Sequence, residues 1–205
     1  MKTVLLALGC LALVAPAVSA DAARPSVALS LGYSSAYKFS ESWDVSNQGL
    51  GEITLALPLG THVILVPSVG YGRYSGDVAS AVGDRWEVSV DVVPVGIGAR
   101  IQSSTHKPLI WYAQESALLV YYHWQSEQTS GFDSWWPKEE RRDELLLGLK
   151  LGGGGQRRVG RSTFAELGLD YVLSEDVDTS AGGIAGFHKQ GLRQLQLHVG
   201  IGWKW

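Results

Sequence analysis

The last eleven residues, "LQLHVGIGWKW", place an apolar side chain at every second position: Leu195, Leu197, Val199, Ile201, Trp203 and Trp205. Gln196, His198, Gly200, Gly202 and Lys204 lie between them. A period of two is the signature of a β-strand with unlike faces, since successive side chains point to opposite sides. The same alternation recurs in eight segments after residue 20. Among them are "SVALSLGYSS" with Val27, Leu29, Leu31 and Tyr33 on one face, "GEITLALPL" with Ile53, Leu55 and Leu57, and "DELLLGLKL" with Leu145, Leu147, Leu149 and Leu151. "STFAELGLDYVL" does the same with Ala165, Leu167, Leu169 and Tyr171. The remaining segments are "HVILVPSVGYGRY", the stretch from Arg85 to about Ile101, "PLIWYAQESALLVYYHW" and the closing one.

Residues 1–20 stand apart. Lys2 precedes the apolar run "VLLALGCLALVAPAV", and "VSA" ends at Ala20, the layout of a cleaved secretory signal. The mature chain is expected to begin near Asp21, as one domain over 21–205. The single cysteine, Cys10, falls inside the signal, so no disulfide and no thiolate metal site is expected after cleavage. With a net charge of −3, the chain offers no basic surface for nucleic acid.

The connections alternate in length. "PLGT" (58–61), "QSSTHK" (102–107) and "GGGGQRRVG" (152–160) are short, whereas those near 35–50, 75–84, 125–142 and 174–190 are longer. This rhythm predicts an all-β, eight-stranded antiparallel up-and-down barrel, with tight turns and both termini at one end. The face opposite the aliphatic residues is rich in glycine and small residues with scattered charges. That composition suits a filled lumen better than a water-facing exterior, so the barrel is expected to be a transmembrane one. Aromatics sort toward the strand ends, as two interfacial girdles would: Tyr33, Tyr71, Tyr122, Trp124 and Tyr171 at the loop end, with Trp111, Trp203 and Trp205 at the turn end.

Two strands are ambiguous. In the fifth, turning odd positions outward would put Glu115 into lipid, so even positions are expected outward. In the fourth, Val88, Val90 and Val92 share one face while Val93, Val95 and Ile97 share the other. Either a bulge near Pro94 switches the phase or the first half projects above the bilayer; the strand's length favours projection.

The closing alternation ending in an aromatic residue resembles the C-terminal signal of bacterial outer-membrane β-barrel proteins, with Trp205 where Phe is usual. The mature length and loop pattern are similar to small OmpA/OmpX-type barrels of the porin-family, outer-membrane β-barrel domain kind. "LALPLGTHVILVPSVGYGRYSG" is similar to their second-hairpin pattern. The resemblance implies a Gram-negative outer-membrane location with periplasmic termini. It also implies handling by periplasmic chaperones and the barrel-assembly machinery, and contact with outer-membrane lipids and lipopolysaccharide.

Residues expected to face the lumen are Arg100, Glu115, Glu144, Lys150, Glu166, Asp170, His198 and Lys204. In a narrow interior they must pair or be hydrated, so they form either a stiffening plug or a narrow path for water, ions or small solutes. The loop "QSEQTSGFDSWWPKEERRD" sets Phe132, Trp135 and Trp136 beside charges, a candidate surface for an unknown extracellular ligand. Alternatively it folds over the barrel mouth, or its tryptophans dip into the outer leaflet. One lipid A deacylase family uses a His-x-Ser pair, which neither His123 nor His188 has. His123, Ser126 and Glu127 could be drawn as a triad, but any Ser- and Glu-rich loop permits that. "GGGGQRRVG" lacks the Lys-Ser/Thr ending of a phosphate-binding loop and reads as a periplasmic turn. The expected role is structural or surface-interacting, with a narrow channel as the alternative and lipid modification behind both. No catalytic residue, cofactor or metal is expected.

Overall fold

The computed structural model describes residues 24–37, 43–45, 48–79, 85–103, 107–130, 139–177 and 190–205. Residues 1–20, expected above to be a signal, lie outside them. The elements in chain order are β1 (Ser26–Tyr37), β2 (Trp43–Val45), β3 (Gln48–Pro58), β4 (Val63–Leu65), β5 (Ser68–Ala79), β6 (Arg85–Gln102), β7 (Leu109–Ser130), β8 (Glu139–Arg158), β9 (Thr163–Val177) and β10 (Gln190–Lys204). These ten pieces make eight staves. β2 and β3 both lie along β5, and β4 and β5 both lie along β6. The break between β4 and β5 falls at Val66–Pro67, yet Val66 still exchanges backbone hydrogen bonds with Gly98. Pro67 has no N–H to give, and only its carbonyl is used, by Leu55.

Every pairing is antiparallel, and the sheet closes. β1 pairs with β3 on one side and with β10 on the other, from Ser26↔Lys204 to Tyr37↔Arg193. Trp205 donates its N–H to the carbonyl of Pro25, so the ladder runs to the final residue.

Side-chain direction follows the alternation. On β10 the six apolar residues from Leu195 to Trp205 are 44–60 % exposed, while Gln194 and Gln196 are buried. β1 turns Leu29, Leu31 and Tyr33 outward and buries Ser26, Ala28, Ser30 and Ser34. β6 keeps one phase over the described side chains. Val88, Val90, Val92, Arg100 and Gln102 are buried, and Val95, Ile97 and Ile101 are exposed. Its only register shift lies at Arg85/Trp86, so no bulge forms near Pro94.

The fifth stave, β7, takes the phase opposite to the one expected. Its even residues, Tyr112, Gln114, Ser116, Leu118, Val120, Tyr122 and Trp124, are buried, while Trp111, Leu119 and Tyr121 are exposed. Seven inward side chains with partners in the lumen outweigh one badly placed carboxylate. Glu115 therefore stands half-buried on the outer wall between Ala99 and Leu151.

The interior has two storeys. Toward the tight turns it carries a polar cluster, with a small apolar group of Ala56, Ile64 and Val66 beside it. Toward the loops it is an apolar core of Tyr74, Val88, Val90, Val92, Leu118, Val120, Tyr122, Trp124 and Val172, with Leu146 packed against it. Inward glycines make room for large neighbours. Gly202 lies opposite Phe164, and a Cβ there would overlap the Phe164 ring, itself 3 % exposed. Gly202→Val is expected to abolish the compact, heat-modifiable band of the refolded protein. Gly49→Ala, whose nearest atom is 4.0 Å away, is expected to leave it intact.

Candidate functional site

The polar storey is built around Arg100 on β6. Its Nη1 lies 3.0 Å from Glu166 Oε2, and both side chains are almost fully buried, at 4 % and 3 % exposure. Nε and Nη2 both donate to Gln114 Oε1, at 3.1 and 2.8 Å. The guanidinium also stacks 3.9 Å above the Tyr112 ring, a cation–π contact strengthened by desolvation. Glu166 in turn accepts from the Tyr112 hydroxyl at 2.9 Å and from Gln156 Nε2 at 2.6 Å. His198 closes the cluster from β10, with Nδ1 3.3 Å from Asp170 Oδ2 and Nε2 3.4 Å from Glu166 Oε1. A carboxylate at each ring nitrogen fits an imidazole that donates from both.

Higher up, Lys150 Nζ reaches Glu52 Oε1 at 2.6 Å, and Thr54 donates to the same oxygen at 3.1 Å. Six ionisable groups from β3, β6, β8, β9 and β10 thus bridge the lumen in balanced partnership. Two spaces beside them measure about 10 Å³ and about 20 Å³. That is room for a single water each. Among the described residues no His, Cys, Asp or Glu group is arranged to hold a metal ion.

The structure places the other expected residues as follows. Glu144 shares the inward parity of β8 at the loop end, half-buried and paired across strands with Tyr122. Lys204 lies at the turn end with Nζ 5.1 Å from the Phe164 ring centre. Tyr33, Tyr71, Trp111, Tyr171, Trp203 and Trp205 point outward and are 40–62 % exposed. Three assignments are corrected by the phase of β7. Glu115 is outside the lumen, and Tyr122 and Trp124 belong to the upper core instead of the girdle, at 3 % and 8 % exposure. Phe132, Trp135 and Trp136 lie outside the described residues.

Several plug residues escaped the sequence reading. Glu52 and Thr54 alternate with Ile53 and Leu55, so their inward parity was legible in "GEITLALPL". Tyr112, Gln114 and Gln156 carried no such signal, because glutamine and tyrosine are compatible with either face.

Above the girdle the outer wall is polar. Tyr71 donates to Asp91 at 2.7 Å, and Arg73 Nε stands 3.8 Å from the same carboxylate. Tyr121 donates to Asp143 at 2.6 Å, and His123 Nδ1 is 2.7 Å from it. These hydrogen bonds, the tyrosine's first, hold the Asp143 carboxyl below the usual carboxylate range. Ser126 is buried on the inner face of β7, while His123 and Glu127 face outward. Strand parity therefore separates the members of the triad that could be drawn on paper.

No protein-family model and no curated protein matches the chain. Solved structures do. Neisserial surface protein A superposes with a TM-score of 0.58 at 15% identity, covering 90% of this chain and 99% of that one. OprG from Pseudomonas aeruginosa gives 0.56 at 12% identity, covering 92% and 99%. Ail of Yersinia pestis, in complex with the heparin analogue sucrose octasulfate, gives 0.54 at 12% identity, covering 89% and 98%. The fold is that of the small outer-membrane β-barrels.

Glu166→Gln would leave the Arg100 guanidinium buried beside a neutral amide. Breaking a buried pair in this way costs about 3–5 kcal/mol. A matching drop in urea stability is expected for protein folded in lipid vesicles. The exposed Glu127→Gln is expected to change it by less than about 0.5 kcal/mol.

Proposed function

We propose that this chain is a closed outer-membrane barrel whose role is structural or surface-interacting, exercised at its loop end, and that it is neither a solute pore nor an enzyme. The observation that carries this reading is the filled interior. A ring of paired charges bridges the lower lumen, and an apolar core fills the upper one, with Val120 and Tyr74 only 1 % and 2 % exposed. A narrow aqueous path would have to cross both. Glu166 and Arg100 would lose their partners, and water would have to pass through a packed cluster of valine, leucine and aromatic side chains.

Strand length supports an orientation. β6, β7 and β8 run for 18, 22 and 20 residues, well beyond the 9–11 or so that a span requires. Their surplus lies at the loop end, where Arg73, Asp91, His123 and Asp143 line the outer wall. We place that end outside the cell and the tight turns and termini in the periplasm. Removal of residues 1–20 on export and delivery by periplasmic chaperones to the barrel-assembly machinery belong to the same reading. Lipopolysaccharide would meet the polar outer wall, and the segment carrying Phe132, Trp135 and Trp136 would meet an extracellular ligand. The complex of Ail with a sulfated sugar supports a ligand-binding outer end for a barrel of this fold.

Purified, refolded protein in planar bilayers is expected to produce no discrete conductance steps, and regular single-channel steps would contradict closure. Deleting 131–138 is expected to preserve the heat-modifiable band and lower adhesion to cell surfaces. Unchanged adhesion would remove that loop from the binding surface.

A further inference from the structure

In the run "GGGGQRR", Gly152 and Gly154 face inward, where a Cβ would strike Asp170 and the Tyr112 hydroxyl, and Gln156 joins the plug; the outward glycines of the same run do something unusual to the outer wall. Gly153 and Gly155 occupy outward positions of β8, between Ala113 and Trp111 on β7 and Leu169 and Leu167 on β9. Barrel exteriors are convex, but here two missing side chains, with the small Ala165 beside them, leave a hollow of about 420 Å³. Its floor is the backbone of residues 153–155. Trp111 and Leu109 form one wall, and Leu167, Leu169 and Leu197 form the other. At its turn-end margin stands Arg157, exposed and, among the described residues, without an ion-pair partner. Arg158 is engaged with the carbonyls of Gly160 and Arg161 in the adjoining turn.

We propose that this hollow is a seat for one glycerophospholipid, with an acyl chain lying along the glycine floor and the phosphate held by Arg157. The inference rests on the membrane-embedded reading above, and under that reading the lipid belongs to the periplasmic leaflet. Shape and charge both point to this occupant. A glycine floor between apolar ridges receives a narrow rod, and among the described residues lining the hollow the one charged side chain on the outer face is that of Arg157, a cation at the height of a headgroup. Arginine binds phosphate through paired N–H donors. A second copy of the chain fits worse. A two-fold axis along the membrane normal would bring its own arginine-rich turn to the same level, setting like charges against each other.

The test is native mass spectrometry of protein refolded in detergent with dioleoylphosphatidylglycerol, gently stripped of bulk lipid. The wild-type chain is expected to retain one phospholipid. Arg157→Gln removes a charge-assisted hydrogen bond and is expected to weaken retention about tenfold. Ala165→Phe, which fills the hollow from its open side, is expected to abolish retention, and Leu31→Phe on the far wall to leave it unchanged. Heat-modifiable migration checks that each variant is folded, and the exposed Arg157→Gln keeps the test decisive if Ala165→Phe does not fold. Equal retention by wild type and Arg157→Gln would overturn the seat. So would preferential retention of lipid A, or a lipid-free dimer joined through this face. The readout does not depend on which end faces the periplasm, so a folded barrel that holds no lipid rejects the seat and leaves the barrel reading standing.

Discussion

Hydrocarbon offers nothing to an unpaired peptide group, and each such group left in it costs several kcal/mol. That constraint orders everything else in this molecule. It requires a sheet without an edge, which is why β1 pairs on both sides and why the ladder continues to Trp205. It requires the alternation that makes one face greasy. It also explains how the chain, whose only cysteine is Cys10, can dispense with cross-links. Closure replaces them.

The second organising fact is that the same staves cross two solvents. At bilayer height Leu197, Val199 and Ile201 face out while His198 and Arg100 face in. Above it the polarity inverts along single strands. β6 turns Asp91 outward beside Arg73 and buries Val88, Val90 and Val92, and β7 turns His123 outward and buries Val120, Tyr122 and Trp124. The lower half is therefore an inside-out protein, and the upper half an ordinary soluble one. Both halves of the lumen are filled: the paired charges lie in the lower half with Ala56, Ile64, Val66 and Phe164 below them, and the valine and aromatic core of the upper half also encloses Ser34, Gln194 and Ser126.

Much of this was legible in the chain. Eight alternating segments and the rhythm of short and long connections specified the barrel, and Lys150, Glu166, Asp170 and His198 showed inward parity against unambiguous leucine faces. The sequence misled on β7, and for a physical reason. Parity was judged there by the cost of one carboxylate, whereas the strand is governed by what its other residues can reach inside. Gln114 finds Arg100, Ser116 packs against Gly98, and Leu118 to Trp124 complete a core that exists only because the strand continues beyond the membrane. Taking Tyr122 and Trp124 for girdle residues followed from the same slip, since a buried core above the bilayer leaves no mark in a pattern assumed to have one solvent. The tyrosine–glutamate and arginine–glutamate contacts were equally hidden, because they join residues 54 and 66 positions apart.

The inverted polarity of the lower barrel can be tested residue by residue. Cys10 is the only cysteine, so the chain produced from residue 21 onward is a cysteine-free background for single cysteines. Spin labels placed in turn at positions 195–201 of protein in lipid bilayers should report relaxation by dissolved oxygen that alternates strictly. It should be high at 195, 197, 199 and 201 and low at 196, 198 and 200. The opposite phase, or no alternation with uniform access to a water-soluble relaxant, would contradict the account.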